Sequence, residues 1–315
     1  MIKIPEQIAV GRAHSKLILV GEHAVVYDKP AIALPFSLIE VKSVVEASEN
    51  EFITIKSSFY QGPLSGLPDK MKGISVCIKE TLTKLKQPHK RIIINLESTI
   101  PIGRGLGSSA AIAVSNVRGL FAYYRKHLDQ DVLIELVHIA ETYAHGKPSG
   151  IDMAAVASDV PIWFQKNEKA EPVAIGKPVH LVVADTGRIG DTHAAVKSIK
   201  DRMEVDPTTT QSSIDKLEEV TLKCRSALAS GNRNLLGKCL DLAQTELAKL
   251  GVSDYGIDKL VDVARQAGAL GAKLTGGGRG GCIIALAEDD MQAQKIANTL
   301  VEAGANKTWC FSLLG

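Results

Sequence analysis

Aromatic residues are scarce, at 4% of the 315 positions. That leaves too few rings for the stacking platforms of a single-stranded nucleic-acid binder. Charge of one sign is not in excess either, since 37 basic and 35 acidic residues give a formal net charge of +2. These charges are mixed along the sequence without a basic stripe, so a small-molecule partner is expected rather than a nucleic acid or a membrane surface. No stretch approaches the ~20 apolar residues that span a bilayer. The opening Met1-Ile-Lys-Ile-Pro-Glu6 lacks the apolar centre of a signal peptide. A soluble, cytoplasmic protein is therefore expected. The five cysteines, at 77, 224, 239, 282 and 310, include no Cys-x-x-Cys pair, which argues against a zinc or redox site and for reduced core residues.

What is present is ordinary globular composition, with 45% hydrophobic and 23% charged residues and enough length for two domains. The first sixty residues read as strands: an apolar run at 15–20, a β-branched stretch at 31–47 and a segment at 51–56. A Gly/Pro/Ser-rich loop is expected over 61–69. Helical spacing is expected from about 73 to 85, then a strand at 91–96, and helices at 110–124 and 132–144. A new strand opens near Lys177. Helices follow, with a polar loop at 206–211 leading into helices at 212–229, 232–249 and 255–266. Strands at 271–275, 282–287 and 307–313 and a helix at 289–303 complete the chain. This order predicts an α+β protein of two domains, 1–176 and 177–315.

The most informative stretch is Pro101-Ile-Gly103-Arg-Gly105-Leu106-Gly107-Ser108-Ser109-Ala-Ala, running directly into a helical pattern. Glycines permit close backbone approach, and a helix N-terminus offers free N–H groups and positive potential to a phosphate. No Gly-Lys-Ser/Thr ends the run, so it is not a Walker A loop. Gly105 to Ala110 also fits a loose dinucleotide fingerprint, although the expected downstream acid is not convincing. A loop that merely turns the chain is the third reading.

This run resembles the phosphate-binding motif of the GHMP kinases. Two further motifs of that family have counterparts: Lys16-Leu-Ile-Leu-Val-Gly21-Glu22-His23-Ala-Val-Val-Tyr27, and Lys273-Leu-Thr-Gly276-Gly277-Gly278-Arg-Gly-Gly281. All three stand in the family's order, so the resemblance covers essentially the whole chain. It implies an N-terminal domain similar to ribosomal protein S5 domain 2 and a ferredoxin-like C-terminal domain. It also implies ATP as phosphoryl donor, with Pro101, Gly103, Gly105, Leu106, Gly107, Ser108, Ser109 and Gly276 to Gly278 on its phosphates.

Carried over residue by residue, the resemblance makes Asp152 the catalytic base and Lys16 its basic neighbour. Glu141 and Ser109 become the ligands of Mg²⁺. A carboxylate of ordinary acidity need not deprotonate the acceptor beforehand; in a loose transition state it orients the hydroxyl and takes the proton late. Gly21-Glu-His-Ala-Val-Val-Tyr27 and the Pro-Ser-Gly-Ile-Asp152 run resemble the mevalonate-phosphorylating branch. The expected acceptor is then mevalonate, in isoprenoid biosynthesis, with Glu22, His23 and Thr192 near it, and His23, Lys16 and Thr192 as candidate donors to its carboxylate. The same resemblance implies a monomer or homodimer. Phosphomevalonate kinase and a non-catalytic ligand-binding relative stay open as alternatives, with a nucleotide-binding oxidoreductase a remote third. His14-Ser15, Arg279 and Gly190 depart from the family pattern, and Arg188 is the cation nearest the last.

Taken singly, each residue has a plainer reading. Glu141 would be a solvated helix residue, Asp152 a helix-start residue, Lys16 an edge-strand lysine and His23 a structural histidine. The glycines of 276–281 would be a close-packed strand connection, and Arg279 an exposed loop arginine or a phosphate contact.

Overall fold

Alternation sets the longest strand. Ile39, Val41, Ser43 and Val45 are buried, whereas Glu40, Lys42, Val44 and Glu46 between them are half-buried. That is the period of two expected of a sheet with one covered face. A computed structural model describes residues 7–145 and 148–313; the opening six residues read above, and Gly146–Lys147, lie outside the described residues. The chain forms two compact units, each assembled from more than one stretch. The first takes residues up to Lys16, Ile39–Ile100 and Gly107–Asp159, and the second takes Leu17–Leu38, Pro101–Leu106 and the chain from Val160 onward.

Strands β1 (Ile8–Val20) and β2 (Ala31–Ala47) pair with each other and contribute residues to both units. In the first unit follow β3 (Thr54–Lys56), β4 (Gln61–Pro63), helix α1 (Lys72–Lys84) and β5 (Ile92–Ser98). Helices α2 (Ser108–Tyr123), α3 (Gln130–His145) and α4 (Ile151–Val156) complete it. Strand β5 runs antiparallel to residues 41–47 of β2 and parallel to β3, which pairs antiparallel with β4. Helix α2 buries most of its surface, as its run of alanines with Val114, Val117, Leu120 and Phe121 requires. It packs against α1, α3 and α4.

The second unit holds β6 (Ile162–Phe164), β7 (Glu171–Pro172), β8 (Val179–Asp185), α5 (Thr192–Val205), α6 (Pro207–Ser230), α7 (Arg233–Lys249) and α8 (Tyr255–Gln266). The chain ends with β9 (Gly271–Thr275), β10 (Cys282–Ala287), α9 (Asp290–Glu302) and β11 (Lys307–Leu313). Four of these strands form an antiparallel sheet in the order β11-β8-β10-β9, with α8 and α9 packed on it and α7 on β9. Strand β6 pairs with residues 31–33 of β2 and with β7.

The α+β class expected from the sequence is what forms. Two local expectations are corrected. The loop expected over 61–69 contains β4 and short 3-10 turns at Leu64–Gly66 and Asp69–Met71. The loop expected over 206–211 is already helix, because Asp206 caps it by accepting the Thr209 N–H at 3.1 Å and Pro207 occupies the first turn. Proline fits there because its missing N–H is not needed. Cys77, Cys224, Cys239 and Cys282 are buried, as core residues should be, but Cys310 on β11 is exposed. No helix among the described residues is long and apolar enough to cross a membrane.

Candidate active site

The last turn of the glycine loop builds the first cluster, entirely within the first unit. Gly107 caps α2 at φ 73°, a left-handed conformation that favours glycine. A Cβ there would lie 2.9 Å from Cγ of Lys16 and 3.3 Å from Val156 of α4. The glycine therefore admits the lysine stem beneath the helix start. Lys16 is 2% exposed, and its Nζ sits 2.8 Å from Oδ1 of Asp152, whose side chain is 37% exposed. Asp152 stands in the first turn of α4, behind Gly150 at φ 92°. One carboxylate thus faces a fixed ammonium on one side and solvent on the other. The edge-strand reading of Lys16 is overturned by its burial. The helix-start reading of Asp152 is right about position but omits the ion pair.

Ser108 and Ser109 open α2, half-buried. Glu141 is in the last turn of α3 and only 4% exposed, so it is not a solvated helix residue. Its charge adds to burial in pushing the Cys77 thiol up to about 12. Among the described residues no group of three or more His, Cys, Asp or Glu side chains forms a metal cage. A hard cation such as Mg²⁺ takes one or two protein oxygens and completes its shell with water and substrate phosphates. A glutamate and a serine hydroxyl are donors of that chemistry.

The second cluster lies within the second unit and gathers residues 17–23, 101–106 and 273–281. Gly103 accepts a hydrogen bond from the N–H of Gly190 at 2.8 Å. Gly105 packs on Gly276, since a Cβ at 105 would be 3.3 Å from the Gly276 Cα. Arg104 donates from Nε to Asp185 at 2.6 Å, with side-chain exposures of 13% and 2%. Asp185 also accepts from Gly187 N at 2.8 Å and from Asn306 Nδ2 at 3.2 Å. Pro101 is half-buried and Leu106 buried.

Thr275 accepts from Ile18 N at 3.0 Å and donates to Ile18 O at 2.9 Å. Lys273 pairs with Glu22 and donates to the Leu274 carbonyl; the two charged side chains are 0% and 1% exposed. His23 Nε2 donates to the Gly277 carbonyl at 3.1 Å. Burial is the main cause that lowers the His23 pKa from 6.5 to about 4, helped by Lys273 and Arg279 and opposed by the Gly277 bond. His23 is therefore neutral at pH 7, and its Nε2–H is directed to the Gly277 carbonyl. Thr192 is exposed at the start of α5 and lies against Gly277, where any Cβ would overlap its Oγ1.

Arg279, at φ 54°, does not dangle. It donates to Ser198 Oγ at 2.8 Å and to the Gly251 carbonyl at 3.2 Å. Arg188 pairs with Asp254. Gly190 has no room for a longer residue without a shift, because a Cβ would meet the Gly278 carbonyl at 3.0 Å. Sequence reasoning did not assign Arg104, Asp185 or Lys273. The available signal was a charged residue inside or ending an otherwise apolar strand, as in Val182-Val-Ala-Asp185 and Gly271-Ala-Lys273-Leu-Thr.

Comparison with known proteins points to one family. Residues 73–159 match the GHMP kinases N terminal domain, and residues 224–306 match the GHMP kinases C terminal model. The mevalonate kinase of Pyrococcus horikoshii is 32% identical over an alignment covering 93% of this chain and 92% of that protein. Among solved structures, L. major mevalonate kinase in complex with R-mevalonate superposes with a TM-score of 0.83 at 24% identity, covering 99% of this chain and 96% of that one. Phosphomevalonate kinase from Streptococcus pneumoniae superposes almost as well, with a TM-score of 0.82 at 18% identity over 96% and 99% of the two chains. Backbone similarity at these identities speaks for the fold and does not separate the two acceptors.

Proposed function

Because this chain belongs to the GHMP kinase family of ATP-dependent small-molecule kinases, we propose that it transfers the terminal phosphoryl group of ATP to the 5-hydroxyl of (R)-mevalonate. The observation that carries this reading is the 2.8 Å contact of Lys16 with Asp152 beneath Gly107. A half-exposed carboxylate held by a buried ammonium is suited to orient an alcohol and accept its proton as the O–P bond forms. The ammonium keeps the carboxylate in one orientation, so little reorganisation is needed at the moment of transfer.

In this reading Asp152 is the base, and Ser108, Ser109 and the N-terminus of α2 are donors to the phosphates. Glu141 and Ser109 hold Mg²⁺, which when bound neutralises charge on the phosphates. Pro101, Gly103, Gly105 and Leu106 of the loop and the glycines at 276–278 are read as further phosphate-binding residues. On the acceptor side Thr192 offers an exposed hydroxyl, while Glu22 and His23 are buried and engaged by Lys273 and by the Gly277 carbonyl. A division of the chain at residue 176 into ATP-binding and C-terminal domains, and a monomer or homodimer, go with the same reading.

A phosphomevalonate acceptor would call for an added phosphate cradle. The loop arginines of the second unit are engaged elsewhere: Arg104 with Asp185, Arg188 with Asp254, and Arg279 with Ser198. That favours mevalonate. The deciding experiment is ADP release with Mg²⁺–ATP against mevalonate, phosphomevalonate, galactose and homoserine. Turnover specific to mevalonate is expected. Turnover on another acceptor would keep the family chemistry and remove the acceptor assignment. ATP binding with no turnover on any of the four would favour the non-catalytic reading.

A further inference from the structure

Residues 273, 275 and 277 alternate along the end of β9 and into the glycine turn, and each is tied by a side chain to residues 18–23. Lys273 joins Glu22, Thr275 bonds both backbone groups of Ile18, and the Gly277 carbonyl accepts from His23. The Glu22–His23 dipeptide therefore grips the strand on both sides of Gly276. Its backbone is set for this by positive φ at Gly21 (96°) and His23 (61°).

The middle tie is a hydroxyl mimicking a backbone neighbour, and the last is an ordinary hydrogen bond. The first is different in kind. Taking an ammonium and a carboxylate fully out of water carries a large desolvation cost, and an apolar pair of similar volume commonly gives equal or better stability. Stability alone does not account for a charged pair here. What the charges add is direction, because the Lys273 ammonium must satisfy the Glu22 carboxylate and the Leu274 carbonyl together. The Glu22 bond ties the end of β9 to residues 18–23, and Gly276 to Gly278 follow immediately.

We infer that Glu22 and Lys273 are a positioning pair that sets the height of the 276–278 glycine turn and thereby the affinity for ATP, and that neither touches the acceptor. The inference rests on the reading above, in which those glycines meet the nucleotide phosphates. It reassigns Glu22 from the acceptor to the nucleotide side.

The test compares the full-length chain with Glu22→Gln, Lys273→Met and the apolar double variant Glu22→Leu/Lys273→Met. For each, ATP affinity is measured directly by calorimetry, KM for ATP and for mevalonate by steady-state kinetics, and thermal stability by calorimetric unfolding. Each single variant should weaken ATP binding by about tenfold or more and leave KM for mevalonate within about twofold. A single variant should fold less well, since it leaves a buried partner uncompensated. The double variant removes both charges and should recover near wild-type stability while ATP binding stays weakened. Recovery of ATP affinity together with stability would make the pair merely structural and overturn the inference. A raised KM for mevalonate with unchanged ATP affinity would also overturn it, returning Glu22 to the acceptor. A wild-type chain that binds no ATP removes the underlying reading and this inference with it. Wild-type ATP binding matched by every variant removes the inference alone.

Discussion

Lys16 uses its stem and its head for different purposes. The methylenes fill the space left by the missing Cβ of Gly107, and the ammonium fixes Asp152. Replacing Asp152 by Asn keeps the side-chain size and removes the proton acceptor. Turnover of Asp152→Asn should fall by roughly 10²-fold or more, with ATP affinity near that of the wild type. Single-turnover kinetics beside calorimetric ATP titration checks both halves, and near-normal turnover would dismiss Asp152 as the base. His23 makes a second residue-scale prediction. Its folded pKa of about 4 lies below the ordinary 6.5, so the unfolded chain binds the proton more readily. The stability contribution is complete above pH 6.5 and is lost as pH falls through 4. The total loss is on the order of 3 kcal/mol. Urea unfolding from pH 7 to pH 4 should show that decline. His23→Gln, which can still donate to Gly277, should flatten this part of the profile.

Helix α7 starts at a side-chain cap, where Asn232 accepts the Leu235 N–H at 3.0 Å. The helix packs on both α6 and β9, so fraying its first turn is felt in the fold. Asn232→Ala should cost about 1 kcal/mol of stability, whereas Asn232→Asp should cost much less; urea midpoints separate the two. Strands at 31–47, 271–275, 282–287 and 307–313 and the helix at 255–266 were legible to the residue, because β-branched runs and amphipathic spacing there coincide with glycine or polar boundaries. The start of α6 was not, because Asp206-Pro207 is at once a turn signal and a good helix cap, and only packing decides between them. Strands β6 and β7, of three and two residues, exist by virtue of partners distant in sequence, and periodicity has nothing to act on at that length.

At the scale of the molecule, three glycine-bearing motifs marked the family, and the structure adds which residues within them meet. The meeting of Lys16 with Asp152 was implied by the resemblance. The pairings of Arg104 with Asp185 and of Lys273 with Glu22 were not, because the partners are far apart in sequence and no local pattern links them. Chelation offers a whole-molecule check on the metal. EDTA should abolish ATP turnover and added Mg²⁺ should restore it, while persistent activity would remove Glu141 and Ser109 from their assigned role. The cysteines carry one more consequence. With four thiols inside and one outside, a chromogenic disulfide reagent should titrate one equivalent in the native protein and five in denaturant. Cys77 belongs to the first unit and Cys224, Cys239 and Cys282 to the second. The order in which these hidden thiols take up label under mild denaturant is then a built-in clock, reading out which half of the chain opens first.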